Sequence, residues 1–154
     1  MAQNIGARKS SMPKVIGNLP SWNWTPFCCC PVPYPVSYNL SSSDIVSSNV
    51  FFNSNEAFMM RSHSNNVTGD EAGSNGGVIS GTTSAKAEPI EHSDSVYINH
   101  RKAVRCGDLF YMNNKNTTGT LVCSPPPPQG EITDRGRIPN APTAPSIPSF
   151  EEYA

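Results

Sequence analysis

One pattern occurs twice in this chain, as Asn49-Val-Phe-Phe-Asn-Ser-Asn-Glu-Ala-Phe-Met-Met-Arg61 and, 46 residues further on, as Ser95-Val-Tyr-Ile-Asn-His-Arg-Lys-Ala-Val-Arg-Cys-Gly107. Each copy has an apolar triplet, a four-residue polar turn led by Asn, and a second apolar run. Apolar runs on either side of a short polar turn are typical of a β-hairpin. The alternative is two unrelated hairpins of similar composition, but residue order agrees as well as residue type. The pattern therefore predicts two copies of one hairpin unit.

The sequence around these copies also predicts turns and short strands. Between them, Thr68–Gly81 holds five glycines in fourteen residues, which indicates tight turns or close backbone contacts. After the second copy, Leu109–Val122 places two apolar runs around an Asn-rich turn, so we predict a third β unit there. Three such units predict a small all-β domain.

Composition separates this body from two flanking arms. Only 36% of the 154 residues are hydrophobic and 15% are charged, so a large α/β core is excluded. Six prolines lie at or before Pro35 and eight from Pro125 onward, with Pro89 alone between them. Proline is confined to the edges of sheets, so a β core flanked by extended arms is expected. We predict an N-terminal arm over residues 1–24, a core over 25–124 and a Pro-rich tail over 125–154.

Residues 21–38 combine aromatic side chains with prolines at every second position from Pro31 to Pro35. Such a segment is expected to be extended and to lie along a surface. Its expected apolar anchors are Trp22, Trp24, Phe27 and Tyr34. Residues 1–20 show no periodicity and are expected to be a mobile arm.

Charge and cysteine content narrow the function classes. The net charge of −1 gives no basic surface for nucleic acid, and no apolar run is long enough for a membrane span. The first twenty residues lack the apolar core of a signal peptide, so the chain is expected to start in the cytosol. Five cysteines, three of them consecutive at Cys28 to Cys30, favour a reduced compartment over a disulfide framework.

The Cys28–Cys30 run has three interpretations: metal binding, lipid attachment or packing. Alternation along an extended chain points Cys28 and Cys30 to one side and Cys29 to the other, which favours packing. The prolines after residue 124 are either a peptide ligand or a stiff spacer. No G-x-S-x-G or H-E-x-x-H pattern is present, so we do not expect an enzyme.

The second copy resembles the repeat of the PAAR family, V-x-I-N-G-x-P-A-A-R-x-G-D. Lys102-Ala103-Val104-Arg105 stands where P-A-A-R stands in the family, and Gly107-Asp108 follows it. His100 replaces the turn Gly and Lys102 the Pro of the family pattern. The Gly-rich stretch, the Gly107–Thr117 region and Pro31-Val-Pro-Tyr-Pro35 are similar to the PAAR-like branch. The resemblance covers roughly residues 25–124.

This resemblance implies a small cone of β-hairpins with pseudo-threefold internal repeats and a role without catalysis. PAAR proteins cap the trimeric VgrG-type spike of type VI secretion and related contractile injection systems, one copy per trimer, and sharpen it for membrane puncture. Their terminal arms carry effectors. The chain would then be exported from the bacterial cytoplasm by the machine, without stable membrane insertion and without nucleic acid. The alternative is an effector or effector adaptor recruited to the spike.

Two sets of site residues follow from the resemblance. We assign spike docking to the apolar triplets of the two hairpins: Val50, Phe51, Phe52, Val96, Tyr97 and Ile98. Tips of the family use one structural zinc held by His and Cys, and we expect His63, His92 and Cys106 as ligands because each lies at or just outside a predicted hairpin. The fourth ligand is His100 or Cys123. No short ligand spacing motif supports the site.

Overall fold

The computed structural model describes residues 5–64 and 66–123, and these form an all-β domain of short strands. The strands are β1 (Lys14–Gly17), β2 (Ser21–Trp24), β3 (Pro31–Tyr34), β4 (Ser37–Asn39), β5 (Phe51–Phe52), β6 (Asn55–Glu56), β7 (Glu88–Pro89), β8 (Tyr97–Ile98), β9 (Arg101–Lys102), β10 (Leu109–Met112) and β11 (Thr117–Val122). A three-residue 3₁₀ helix spans Leu40–Ser42. The described residues contain no helix with the length and hydropathy of a membrane span.

The largest sheet has five antiparallel strands in the order β4-β1-β11-β10-β7. Alternate residues of its strands point into an apolar core that includes Val15, Tyr38, Phe110 and Leu121. Burial raises the pKa of the Tyr38 phenol to about 12, although its hydrogen bond to Ser43 acts in the opposite direction. The prediction of a small all-β domain is confirmed.

Both predicted hairpins are present and share one geometry. Their two-residue turns, Asn53-Ser54 and Asn99-His100, have positive φ at both positions, as a type I′ turn requires. Corresponding hydrogen bonds recur at the offset of 46. The Ala57 N–H donates to the Val50 carbonyl at 2.9 Å, and the Ala103 N–H donates to the Val96 carbonyl at 2.9 Å. The alignment of the two sequence copies is therefore also a structural repeat.

Three backbone segments, residues 5–9, 56–60 and 102–106, close into a ring. Each segment forms an antiparallel bridge with both of the others. Every pair of segments exchanges two hydrogen bonds, and the six bonds follow one cyclic rule: Ala7 N to Val104 O (2.9 Å), Cys106 N to Ile5 O (2.9 Å), Phe58 N to Ala7 O (2.9 Å), Lys9 N to Glu56 O (2.8 Å), Val104 N to Phe58 O (3.2 Å) and Met60 N to Lys102 O (2.8 Å). We call these three segments the ring. Their equivalence is the pseudo-threefold arrangement that the resemblance to the PAAR family implies.

The third member of the ring is not the unit that we expected. The β10–β11 hairpin forms as predicted, but it belongs to the five-stranded sheet. Residues 5–9 complete the ring, and β1 and β2 also lie inside the fold. For residues 5–20 the structure therefore corrects the expectation of a mobile arm over residues 1–20, and it places β1 and β2 in the domain, before the expected boundary at residue 25. The tail predicted over 125–154 lies outside the described residues.

A second region lies at the other end of the β10–β11 hairpin. Cys123 and Cys106 join that hairpin to the ring, while its turn, residues 113–116, bonds to β2. The six residues of β11 span about 20 Å between the two regions. We call residues 18–34, 72–84 and 113–116 the aromatic end.

The aromatic side chains of the aromatic end do not act as buried anchors. Ser21, Asn23 and Thr25 are buried, whereas Trp22 and Trp24 alternate with them and are exposed. Phe27 is 99% exposed. The expectation of an extended segment holds for β3, which pairs with β2, but the anchoring role expected for Trp22, Trp24 and Phe27 is wrong. A buried polar network takes the place of those anchors.

Two disulfides correct the expectation of free cysteines. Cys28 pairs with Cys30, and Cys106 pairs with Cys123. Cys28 and Cys30 are on one side of the chain, as alternation predicts, and a positive φ at Cys29 bends the backbone between them. Cys29 is a free, exposed thiol.

Candidate functional site

The ring is held together by small and apolar side chains at its centre. Ala7, Phe58 and Val104 occupy equivalent positions, and each is fully buried. Beside them, Gly6 is equivalent to Ala57 and Ala103. A Cβ at Gly6 would lie 2.4 Å from the ring of Phe52, so glycine leaves room for that aromatic side chain. The ring thus keeps threefold backbone geometry although the side chains at equivalent positions differ, as at Ala7, Phe58 and Val104.

The hairpins β5–β6 and β8–β9 lead directly into two of the three ring segments. Of the six residues expected to dock, Phe51, Val96 and Tyr97 are exposed by 54%, 51% and 59%. Val50 and Phe52 are partly buried against Ala57, Met59, Ala103 and Ile98. Ile98 itself is buried. The exposed three therefore leave apolar side chains in solvent, while the other three pack in one cluster beneath the hairpins.

Arg105 and Asp108, which match the Arg and Asp of the family repeat, form an ion pair. Asp108 is buried and accepts hydrogen bonds from the Arg105 N–H at 2.7 Å and from its guanidinium at 3.2 Å. The guanidinium also donates to the His92 carbonyl at 2.9 Å. The pair closes the turn at Gly107, which has a positive φ. In the first copy of the repeat, 46 residues earlier, the equivalent hydrogen bond runs from the Met59 N–H to the Ser62 hydroxyl.

The residues expected to hold zinc do not come together. His63 lines a pocket with Arg61, Lys86, Glu88 and Arg101. Glu88 pairs with Lys86 at 2.6 Å, so the positive charges of Arg61 and Arg101 remain and disfavour a cation. The backbone carbonyl of His92 accepts from the Arg105 guanidinium, and the His92 imidazole lies 3.8 Å from the Asp94 carboxylate. His100 is in the β8–β9 turn.

The expected cysteine ligands are also committed elsewhere, because Cys106 is bonded to Cys123 and offers no thiolate in this form. Among the described residues no three His, Cys, Asp or Glu side chains are grouped so that they could hold a metal. These residues therefore do not fit the tetrahedral zinc site expected from the sequence. Whether the chain binds zinc stays a prediction.

The N-terminal ring segment is the functional element that sequence reasoning missed. Its signal is short: Gly6-Ala7-Arg8 repeats the order small, apolar, basic of Ala103-Val104-Arg105. Three residues are too few to be recognised as a third copy of the repeat, because the hairpin pattern of the other two copies does not accompany them in the sequence. Only the hydrogen bonds of the ring show that the two stretches are equivalent.

The profile of the Toxin PAAR-like domain matches residues 14–119. This is more than half of the chain. The chain belongs to the PAAR-like family. No curated protein and no solved structure matches it.

The PAAR-like domain indicates a protein associated with a type VI spike or related to a toxin. The matched region begins at β1, so it agrees with the structure that the domain starts before residue 25. The ring residues 5–9 lie just outside the match, although they bond to segments within it.

Proposed function

We propose that this chain caps the trimeric spike of a contractile injection system, acts without catalysis and leads the spike when the machine fires. The observation that supports the proposal is the ring, in which three unlike segments exchange hydrogen bonds by one cyclic rule. A trimer presents three equivalent surfaces, and a single chain meets all three only if it repeats its own contacts. The ring supplies that repetition within one chain.

The docking surface in this proposal is formed by the ring and by the hairpins β5–β6 and β8–β9, which together we call the ring end. Its exposed apolar residues include Phe51, Val96 and Tyr97. The end of a trimeric β-spike carries unpaired strand edges, and short strands of a cap are suited to cover them. Large aromatic side chains contribute most to such contacts because they bury much apolar area. Export by the machine, from bacterial cytoplasm to the extracellular space or a target cell, follows from this role.

Stoichiometry tests the proposal most directly. The chain mixed with a VgrG-type trimer of the same genome should elute as a complex of one cap per three spike chains, measured by light scattering after gel filtration. Phe51→Ser with Tyr97→Ser should weaken the complex at least tenfold, because about two aromatic contacts are lost. Phe27→Ser, a matched aromatic change at the aromatic end, should leave it unchanged. A 3:3 complex, or equal effects of both variants, would contradict the proposal.

A second candidate role is supported by the toxin description of the matched family. In that role the chain is an effector or an effector adaptor, recruited to the spike through its PAAR-like domain, with the cargo attached through a terminal arm. A chain that stops at Ser124 separates the two roles in a secretion assay. Loss of one cargo with normal firing favours the adaptor. Normal firing with every cargo still delivered favours a cap alone.

A further inference from the structure

In strand β2 the polar residues face the interior and the tryptophans face solvent, which is the reverse of a normal surface strand. Ser21 and Asn23 are fully buried, whereas Trp22 and Trp24 are 48% and 40% exposed. A shift of one residue in register would bury both tryptophans and expose the polar residues. Hydrophobic burial alone favours that shift, so other interactions must fix the observed register.

A buried hydrogen-bond network fixes it. The Asn116 amide donates to the Ser21 hydroxyl at 2.8 Å and to the Trp22 carbonyl at 3.1 Å. The Asn23 amide donates to the Asp70 carboxylate at 3.0 Å. Gly77 lies against Asn116, where a Cβ would be 2.4 Å from its side chain, so the Gly-rich loop follows the network closely. Buried polar groups that are fully paired hold one arrangement rigidly. The network therefore holds the tryptophans in solvent.

The surface of the aromatic end is also almost free of charge, and the Asp70 carboxylate beside it is buried in the hydrogen-bond network. Residues 15–43 and 72–85 contain no Asp, Glu, Lys, Arg or His. Its exposed apolar side chains include Phe27 (99%), Ile79 (78%) and Leu19 (67%). Exposed Lys115 in the 113–116 turn and Glu71 beside the loop mark its margin. The ring end, by contrast, carries Arg8, Lys9, Glu56, Arg101, Lys102 and Arg105 on or beside its segments.

These features match the chemistry of a bilayer surface better than that of a protein partner. Tryptophan is enriched where lipid headgroups meet acyl chains, and each charge taken deeper is costly. Backbone groups entering lipid must also be paired, and the Ile79 and Ser80 N–H groups donate to the Asn116 amide oxygen. Arginine is enriched at protein interfaces, whereas residues 18–34 and 72–84 contain neither Arg nor any other charged residue. We propose that the aromatic end inserts into the interface of an uncharged phospholipid bilayer.

Intrinsic fluorescence tests this contact, because Trp22 and Trp24 are the only two tryptophans in the chain. Titration of the full chain with phosphatidylcholine vesicles should shift the emission to the blue and protect it from acrylamide. Brominated phosphatidylcholine should quench it. The effect should be similar in low and high salt, since no charge pairing is involved. Phe27→Ser with Ile79→Ser should weaken partitioning about tenfold or more, because two exposed apolar side chains are lost.

The matched control is Phe51→Ser with Tyr97→Ser at the ring end, which should leave vesicle binding unchanged. Circular dichroism checks folding, and Phe27→Ser alone serves as the milder variant because Phe27 is almost fully exposed. Emission that stays unchanged at excess lipid overturns the proposal. So does an equal loss in the ring-end control, or protection of the tryptophans by a partner protein but not by vesicles. Spike binding is measured separately, so its failure does not affect this result.

Discussion

The ring end and the aromatic end are both built from short strands and tight turns, yet they place polar and apolar groups in opposite ways. At the ring end Ala7, Phe58 and Val104 are inside and charged residues surround them. At the aromatic end Asn23, Asp70 and Asn116 are inside and Trp22 and Trp24 are outside. The apolar interior stabilises by burial, whereas the polar interior stabilises by satisfied hydrogen bonds. Each end therefore leaves a different surface for contacts.

The largest expected effect of a single change is at the centre of the ring. Phe58→Ala removes a fully buried ring and should lower the free energy of unfolding by about 3–5 kcal/mol, because a cavity remains at the ring centre. Phe27→Ala is the matched change at the aromatic end and should alter it by less than about 0.5 kcal/mol. Urea unfolding measures both. Similar values for the two variants would contradict the assignment of Phe58 to the core.

The two disulfides should also contribute unequally to stability, and the one at the ring end should contribute more. Replacing Cys106 and Cys123 by Ser should cost about 3 kcal/mol, since their loop spans 17 residues and restricts the unfolded chain strongly. Replacing Cys28 and Cys30 should cost much less, because they are two residues apart. Thermal melts with and without a thiol reductant measure this difference.

A chelator added to the same melts tests the zinc prediction. If the Cys106–Cys123 disulfide, and no metal ion, stabilises the ring end, the reductant lowers the melting temperature and the chelator does not. A fall with chelator alone, together with about one zinc per chain by elemental analysis, would restore a metal ligand role for Cys106.

The polar interior is tested by Asn116→Ala. This change leaves the N–H groups of Ile79 and Ser80 without their side-chain acceptor and removes one of the two amide donors to the Ser21 hydroxyl, so we expect a loss of about 2 kcal/mol. Hydrogen exchange should rise in residues 72–84 while the ring amides stay protected. Asn75→Ala, an exposed change in the same loop, is the control. Uniform exchange across both ends would show that the two regions are not separate in stability.

The smallest expected effect concerns the fit of Gly6 against Phe52. Gly6→Ala should cost about 1–2 kcal/mol, because the new methyl group meets the aromatic ring. Phe52→Ile should recover part of that loss, since Ala57 and Ile98 pack together in the same cluster. A double-mutant cycle from urea unfolding gives the coupling. Independent effects of the two changes would argue against this contact.

Much of the fold followed from local sequence. The Asn-led turns, the order of apolar residues in the two copies and the scarcity of helix formers are enough to predict hairpins, because turn chemistry and alternation act over a few residues. The glycine density of Thr68–Gly81 correctly indicated close contacts, and the structure shows them at Gly73 and Gly77. Of the docking residues, the apolar triplets were correctly placed in hairpins, but alternation puts Ile98 inside.

The candidate site depended on contacts between distant segments, which local patterns do not encode. The sequence by itself determined the two repeated hairpins, their offset of 46, the β10–β11 hairpin and the family. Tertiary structure decided that residues 5–9 close the ring, that Cys106 meets Cys123 and that Trp22 and Trp24 face solvent. The reason is physical. The ring forms only when all three of its segments meet. The Asn116 amide holds the polar side of β2 inside and the tryptophans outside only when its partners, 36 to 95 residues away in the sequence, are in place.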